Sequence, residues 1–333
     1  MKRLLYYILF FIISFVGKAQ DPQMTQYFAA PQYLAPSFAG NTEGSRATLN
    51  FRDQWPAIPG SFITYMIGLD HNLYHYNSGI GLLIMHDQAG SGALSTTNIS
   101  FQYAYSIKIN RQFALRPGIS FIYAQRAIDI NRLVFGDQLH LDKNNATSIE
   151  SHYYPKVTYF DNNISIVGFT KLYWGGFFIG HLLPPNQALK MDGYSELPTL
   201  YKVMGGAKIM LNGKADSPME ESIKATFLYK AQGKYDQFDI GAYWYKVPFS
   251  LGIWYRGIPF FKHYARGYAN QDAIAFVIGY QIEQMKIGYS YDFTISRLAF
   301  NTAGSHEVSL SYEFNQTHKS RSRKHVIIPC AKF

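Results

Sequence analysis

The sequence predicts an all-β fold, a transmembrane antiparallel β-barrel of about fourteen strands. Three observations predict it. Many runs alternate apolar or aromatic residues with polar ones at a period of two. In Ile99–Lys108, Ile99, Phe101, Tyr103, Tyr105 and Ile107 share one face, while Ser100, Gln102, Ala104, Ser106 and Lys108 share the other. The composition is 47% hydrophobic and 17% aromatic but only 16% charged, with 27 Tyr, 25 Phe and 27 Gly in 333 residues. A soluble chain averages about 25% charged residues, and an apolar outer band girdled by aromatic rings accounts for the difference. Past the first twenty residues no eighteen consecutive apolar residues occur, so no helix is expected to span a bilayer. The one cysteine, Cys330, permits no intrachain disulfide, and barrel closure removes the edges that a large open sheet would expose.

Taken in order, residues 1–19 read as a signal peptide: Lys2 and Arg3, then the apolar run Leu4–Val16, then Gly17-Lys18-Ala19 before Gln20. An uncleaved anchor is the other reading of a run too short for a spanning helix of about 20 residues. Residues 20–44 carry Pro22, Pro31 and Pro36 with Tyr27, Phe28, Tyr33 and Phe38 between them. Proline at this spacing forbids a regular strand or a long helix, so the segment is expected to fill the lumen or dock on the periplasmic rim.

Residues 45–314 form the barrel. Alternation is clean in Arg46–Gln54, Ile99–Lys108, Ile274–Ile282, Ile287–Phe293 and Glu307–Phe314. It is weaker in Phe62–Leu69, Gly79–His86, Ala114–Tyr123, Tyr153–Phe160, Ile164–Thr170, Tyr173–Leu182, Tyr201–Leu211, Ile223–Tyr229, Phe238–Tyr245 and Ser250–Arg256. Single-chain bacterial barrels have an even strand number; the odd candidate lies in the pair around "DNN" (161–163), where a tight turn, a bulge or a merger are the options. Twelve or sixteen strands are the alternatives. Short connections at His75–Ser78, Asn110–Gln112 and Glu283–Met285 read as periplasmic turns, and Asn131–His152, Pro184–Leu200 and Pro259–Gln271 as long outer loops. Residues 315–333 are a basic tail, expected on the periplasmic side with the N-terminal segment.

The stretches "DPQMTQYFAAPQYLAPSFAG" (21–40), "RDQWPAIPGSFITYMIGLDH" (52–71) and "YSYDFTISRLAFNTAGSHEVSLSYEF" (289–314), with the closing "IPCAKF", resemble the PorP/SprF family. The chain departs from the usual family pattern at Ala29-Ala30-Pro31 and at Cys330-Ala331. The resemblance implies an outer-membrane barrel of the Bacteroidetes type IX secretion and gliding machinery. It further implies an accessory role: binding periplasmic secretion components, or helping a large surface adhesin to be exported and held at the cell surface. A porin or solute transporter is the alternative function.

Candidate site residues fall in two groups. The tail holds Lys319, Arg321, Arg323, Lys324 and Lys332 and no acid; removing Lys2, Arg3 and Lys18 takes the net charge from +9 to +6, so the tail holds five of the six. With Ile327, Ile328, Cys330 and Phe333 it suits docking on an acidic partner; folding back into the lumen and remaining solvated are the other uses open to it. Nucleic acid is not expected outside the cytoplasm. The lumen or plug group is Tyr27, Phe28, Tyr33, Phe38, Arg46, Arg52, Asp292, Glu307 and Glu313, with Asp53 beside them. Its charges are mixed in sign, which suits ion pairs stitching the first and last strands better than a selectivity ring. No enzyme, metal or cofactor is expected: Ser305-His306-Glu307 are sequence neighbours pointing to opposite faces, and no H-E-x-x-H or phosphate-loop glycine pattern occurs. Outer-membrane lipid is the one further contact implied.

Overall fold

Period-two alternation sorts the side chains into a lipid-facing and a lumen-facing set, and the strands that carry it close on themselves. The computed structural model describes residues 21–90, 94–134, 154–191, 193–213, 220–265, 268–296, 301–314 and 328–329. The strands are β1 (Ser45–Gln54), β2 (Phe62–Leu73), β3 (Ser78–Ala89), β4 (Leu94–Tyr105), β5 (Ile107–Lys108), β6 (Ala114–Ala127), β7 (Lys156–Phe169) and β8 (Tyr173–Gly180), followed by β9 (Leu200–Asn212), β10 (Glu221–Gln232), β11 (Tyr235–Lys246), β12 (Phe249–Ala265), β13 (Tyr268–Ile282), β14 (Met285–Thr294) and β15 (Ser305–Phe314). Neighbours in the sheet are antiparallel neighbours in sequence, and β1 pairs with β15 from Ser45 opposite Phe314 to Gln54 opposite Ser305. The result is a closed barrel of fourteen strands, with the two-residue β5 as an extra piece beside β6.

The lipid face follows the register. Ile84, Ile67, Leu49, Leu310 and Ile287 stand opposite one another on β3, β2, β1, β15 and β14, and Leu49, Ile67 and Ile287 are exposed. The alternate residues Thr48, Asn50 and Arg52 are buried. No helix among the described residues is long and apolar enough to cross a membrane; the strands do so.

One open local reading is resolved as a merger, and two local expectations change. The runs Tyr153–Phe160 and Ile164–Thr170 are one strand, β7, because Asp161, Asn162 and Asn163 keep register opposite Ile122, Phe121 and Ser120 without a bulge. The run ending at Lys108 is interrupted at Ser106, beside Pro117 of β6, which has no N–H for the ladder. β4 and β5 nonetheless keep one register against β6, and the Ser106 N–H still meets the Asn77 carbonyl (2.7 Å) on the β3 side. Within the expected loop Pro259–Gln271 the described residues 259–265 and 268–271 instead extend β12 and β13, with register shifts between Arg256 and Ala265. A proline without an N–H is tolerated where the ladder is irregular.

Ser45 and Phe314 share one end with the short connections 74–77, 170–172 and 283–284, while 128–155 and 181–199 join strands at the opposite, loop end. Since Leu49 lies at mid-strand on the lipid face, Leu49→Arg is expected to destabilise the refolded barrel by about 2–4 kcal/mol in a bilayer urea titration. Gln112→Arg, exposed in the turn before β6, should leave the midpoint nearly unchanged.

Candidate functional site: a plugged lumen

Residues 21–44 run through the barrel rather than along its rim. Pro31 and Pro36 each begin a short turn of helix, α1 (Pro31–Leu34) and a 3₁₀ turn (Pro36–Phe38), as their fixed φ allows. Between them the prolines fold a compact plug whose residues Met24, Ala35, Phe38 and Ala39 are buried. The barrel wall makes room for it. A Cβ on Gly79 would sit 2.1 Å from the Ala39 carbonyl oxygen, and one on Gly118 would sit 2.4 Å from the Ser37 nitrogen. Only glycine permits so close an approach.

Polar groups bind the plug on most sides. Ser37 N–H donates to Ser165 Oγ (2.9 Å), Gly40 N–H to Asp70 (2.8 Å), Arg116 to the Ala39 carbonyl (2.6 Å), and Lys202 Nζ to the carbonyls of Tyr33 and Leu34 (3.3 and 3.4 Å). Aromatic packing fills the remainder. Tyr27 lies edge-on to Trp254 (5.4 Å between ring centres), Phe28 to Tyr243 (5.5 Å), and Phe38 to Trp174 (5.7 Å). The Tyr27 hydroxyl donates to Asp239, and burial together with that carboxylate raises the phenol well above its ordinary range.

At the β1–β15 seam the plug meets a buried ion cluster. Arg52 reaches Asp292 (2.8 Å) and Glu307 (3.2 Å), and Arg256 reaches Asp292 (3.1 Å). The Thr25 and Gln26 N–H groups donate to the two Glu307 oxygens (2.7 and 3.0 Å), and Thr25 Oγ1 donates to Asp292 (2.7 Å). Arg52, Asp292 and Glu307 are essentially solvent-free, so each charge depends on the others.

A second clamp holds the start of the plug. His181, just past β8, sits between Asp161 Oδ2 (2.5 Å) and Asp21 Oδ2 (3.1 Å), and the Asp21 N–H donates to Gln232 at the end of β10 (3.1 Å). Burial alone would lower the imidazole, but Asp21 and Asp161 outweigh it and raise it to about 10. Burial would likewise raise the Asp21 carboxyl, and His181 brings it down to about 2. Asp21 thus stands between the loop-side ends of β8 and β10, whereas Ser45 and Phe314 stand at the other end. The two ends of the described chain do not share one side of the barrel, because the plug traverses the lumen.

The expected lumen residues can now be placed. Tyr27, Phe28, Tyr33 and Phe38 lie in the plug; Arg46 pairs with Asp70 (2.7 Å), Glu313 with Lys286 (3.0 Å), and Arg52, Asp292 and Glu307 form the seam cluster. Asp53 follows Arg52 in β1 and points away from the lumen, opposite His306. In the tail, Ile328 is buried in this chain's own core and its N–H donates to Asn41 Oδ1 (3.0 Å), so its contact is with the barrel's interior rather than with a partner. Lys319, Arg321, Arg323, Lys324, Ile327, Cys330 and Phe333 lie outside the described residues. His306 bonds Tyr289 (2.8 Å) on the outer face while Glu307 faces inward, so the Ser305-His306-Glu307 run assembles no hydrolytic group. Among the described residues no cluster of His, Cys, Asp and Glu could hold a metal ion. Sequence reasoning missed Asp21, Asp161, His181, Asp239 and Arg256; Asp239 and Arg256 carry a weak signal as charges inside apolar strands.

Residues 16–312 match the family model described as type IX secretion system membrane protein PorP/SprF. The chain belongs to that family. As a PorP/SprF protein it is an outer-membrane β-barrel of the type IX secretion system, and neither family nor fold is that of an enzyme class. No match among the curated proteins was found. Among solved structures, this PorP/SprF barrel is similar to the monoaromatic hydrocarbon channel CymD, at 11% identity and TM-score 0.45 over 91% of this chain and 96% of that one. It is also similar to the toluene transporter TodX of P. putida, at 9% identity and TM-score 0.45 over 84% and 91%.

Two outcomes follow from the clamps. Arg52→Met leaves two carboxylates buried beside Thr25 and is expected to cost about 3–5 kcal/mol in equilibrium unfolding. For the second clamp, His181 has its folded pKa raised, so its contribution is complete below its ordinary 6.5 and is lost as pH rises through about 10. Asp21 has its folded pKa depressed, so its contribution is present above 3.8 and is lost as pH falls through about 2. His181 has a left-handed backbone (φ 54°), which asparagine tolerates. The gap in melting temperature between the parent and His181→Asn should therefore be widest between those limits, near pH 4–6.5, and shrink steadily toward pH 10.

Proposed function

We propose that this protein is a closed accessory barrel of the type IX machinery, which holds other proteins of the export path rather than conducting solutes. The partners proposed are periplasmic secretion components, a large exported surface adhesin, or both. One observation carries the reading: the lumen is crossed by a plug whose Thr25 and Gln26 hydrogen-bond to the buried ion cluster of β1, β12, β14 and β15, with further hydrogen bonds to β6, β7 and β9. A diffusion pore gains nothing from such filling, whereas a barrel that serves as a docking body gains rigidity. The end bearing the short connections is assigned to the periplasm and the loop end to the exterior, as in the class. In this reading 20–44 is the plug, 45–314 the barrel, and the basic tail 315–333 the periplasmic contact, after removal of the leader 1–19.

The alternative, a porin, makes the opposite electrical prediction. In planar bilayers the intact protein should show no steady ion conductance, and deletion of 21–42 should open a pore in whatever fraction refolds. Steady conductance from the intact chain would favour the porin. Affinity purification from detergent-solubilised native membranes should recover secretion components or a very large surface protein with the full-length chain. Truncation after Phe314 should abolish recovery of the periplasmic ones; recovery of neither class by either form would overturn the docking role.

A further inference from the structure

Beside the plug, the loop end of the lumen keeps a cavity of about 600 Å³, within the size range of built ligand sites, about 300–1,000 Å³. Its wall has a regular repeat. Thr96, Asn98, Ser100 and Gln102 of β4 all face it, one at every second residue and so about 6.8 Å apart. At its two central positions the flanking strands are apolar. Met85 of β3 and Ala124 of β6 stand opposite Asn98, and Leu83 and Ile122 stand opposite Ser100, whereas Thr96 stands between Asp87 and Arg126 and Gln102 between Gly81 and Ser120. The wall is a stripe of amides and hydroxyls with apolar borders at its middle.

Several polar atoms along that stripe have no hydrogen-bond partner. Asn98 Oδ1, Gln102 Oε1 and Ser120 Oγ are buried and unpaired, as is Gln32 Oε1 on the plug; Gln102 is 6% exposed and Ser120 1%. Buried polar groups ordinarily find partners within the protein or in ordered water. Most charges of the wall have partners. Asp21, Asp161 and His181 hold one another, Lys202 bonds plug carbonyls, and Asp87 accepts from Thr64 (2.6 Å), while Arg126 donates to Gln187 and keeps its Nε unpaired. Amide and hydroxyl groups at a regular interval outnumber that one open guanidinium nitrogen, and they suit a ligand with hydrogen-bonding groups at the same interval.

An extended polypeptide has that character. Its main-chain groups recur on one side every two residues, about 6.8 Å apart, with side chains projecting between them. We propose that this vestibule binds an extended peptide segment that enters from the loop end and lies along β4. Its amides meet the Thr96–Gln102 stripe, and its side chains rest on Ile122 and on the edges that Leu83 and Met85 leave beside the plug. The proposal rests on the reading that the barrel holds an exported protein and names where a segment of that protein is gripped.

The test uses the full-length barrel in detergent and a pool of short, end-blocked, fluorescently labelled neutral peptides, with maltoheptaose as a sugar comparator. Fluorescence anisotropy should show saturable peptide binding that the sugar does not displace. Ser100→Phe fills the cavity, and Thr96→Trp narrows it near the mouth; each should weaken binding about tenfold or more with the unfolding midpoint held. Should Ser100→Phe fail to fold, the Thr96 variant decides. Absence of saturable binding, binding that both folded variants retain, or displacement by the sugar would overturn the proposal. A barrel that binds no peptide yet still co-purifies with export components overturns this inference alone; one that does neither overturns the docking role as well.

Discussion

The ion cluster at the β1–β15 seam is the constraint on which the rest of the structure depends. Arg52 and Glu307 are directly opposite in the register that closes the barrel, and the same Glu307 takes the N–H groups of Thr25 and Gln26 from the plug. Closure and plugging are therefore one event. A buried pair adds little net stability over a well-packed apolar substitute, so its value lies in alignment. A slip of one residue at the seam would turn Arg52 or Glu307, whichever strand slipped, into lipid, where an arginine costs up to about 2–4 kcal/mol depending on depth. The cluster makes every register but one expensive.

The barrel was legible in the sequence because alternation is a local property. Each run such as Arg46–Gln54 announces two solvents without reference to any other run. The plug was half legible: Pro31 and Pro36 exclude a strand, and Tyr27, Phe28, Tyr33 and Phe38 demand burial, but nothing in 20–44 says which wall receives them. Those contacts join residues up to 283 positions apart, and no periodicity encodes them. His181 shows the limit. It sits past the end of a strand and next to a loop, and its partners Asp161 and Asp21 lie 20 and 160 residues away.

Misreadings arose where local pattern and ladder disagree. The polar "DNN" within β7 looks like a turn, yet Asp161 is an inward residue that supplies the His181 clamp, and Asn163 accepts from the His181 N–H (3.1 Å). Polarity there serves the lumen rather than solvent. The Pro259–Gln271 stretch looks like a loop because proline interrupts a ladder, but a bulged ribbon absorbs the missing donor. In both places the sequence shows a break in the pattern, and only pairing shows what the break is for.

The lumen wall divides into two chemistries, and the division carries the functional argument. From β11 round to β1 it is charged, and Asp239, Arg256, Asp292, Glu307 and Arg52 meet the plug or one another. On the loop half of β3, β4 and β6 it is largely amide, hydroxyl and aliphatic; Leu83 and Met85 pack on Met24 and Ala30 of the plug, and the stripe on β4 lines the cavity beside them. If the plug were merely a stopper, the economical arrangement would bury both walls against it, since unpaired buried amides cost about 1–3 kcal/mol each. Asn98, Gln102 and Ser120 have no protein partner along a cavity, so water or a ligand must take up their hydrogen bonds. The cost is offset once another chain supplies the missing hydrogen bonds, which makes the bare wall the side of the lumen built for a visitor and the charged wall the side built to hold the plug.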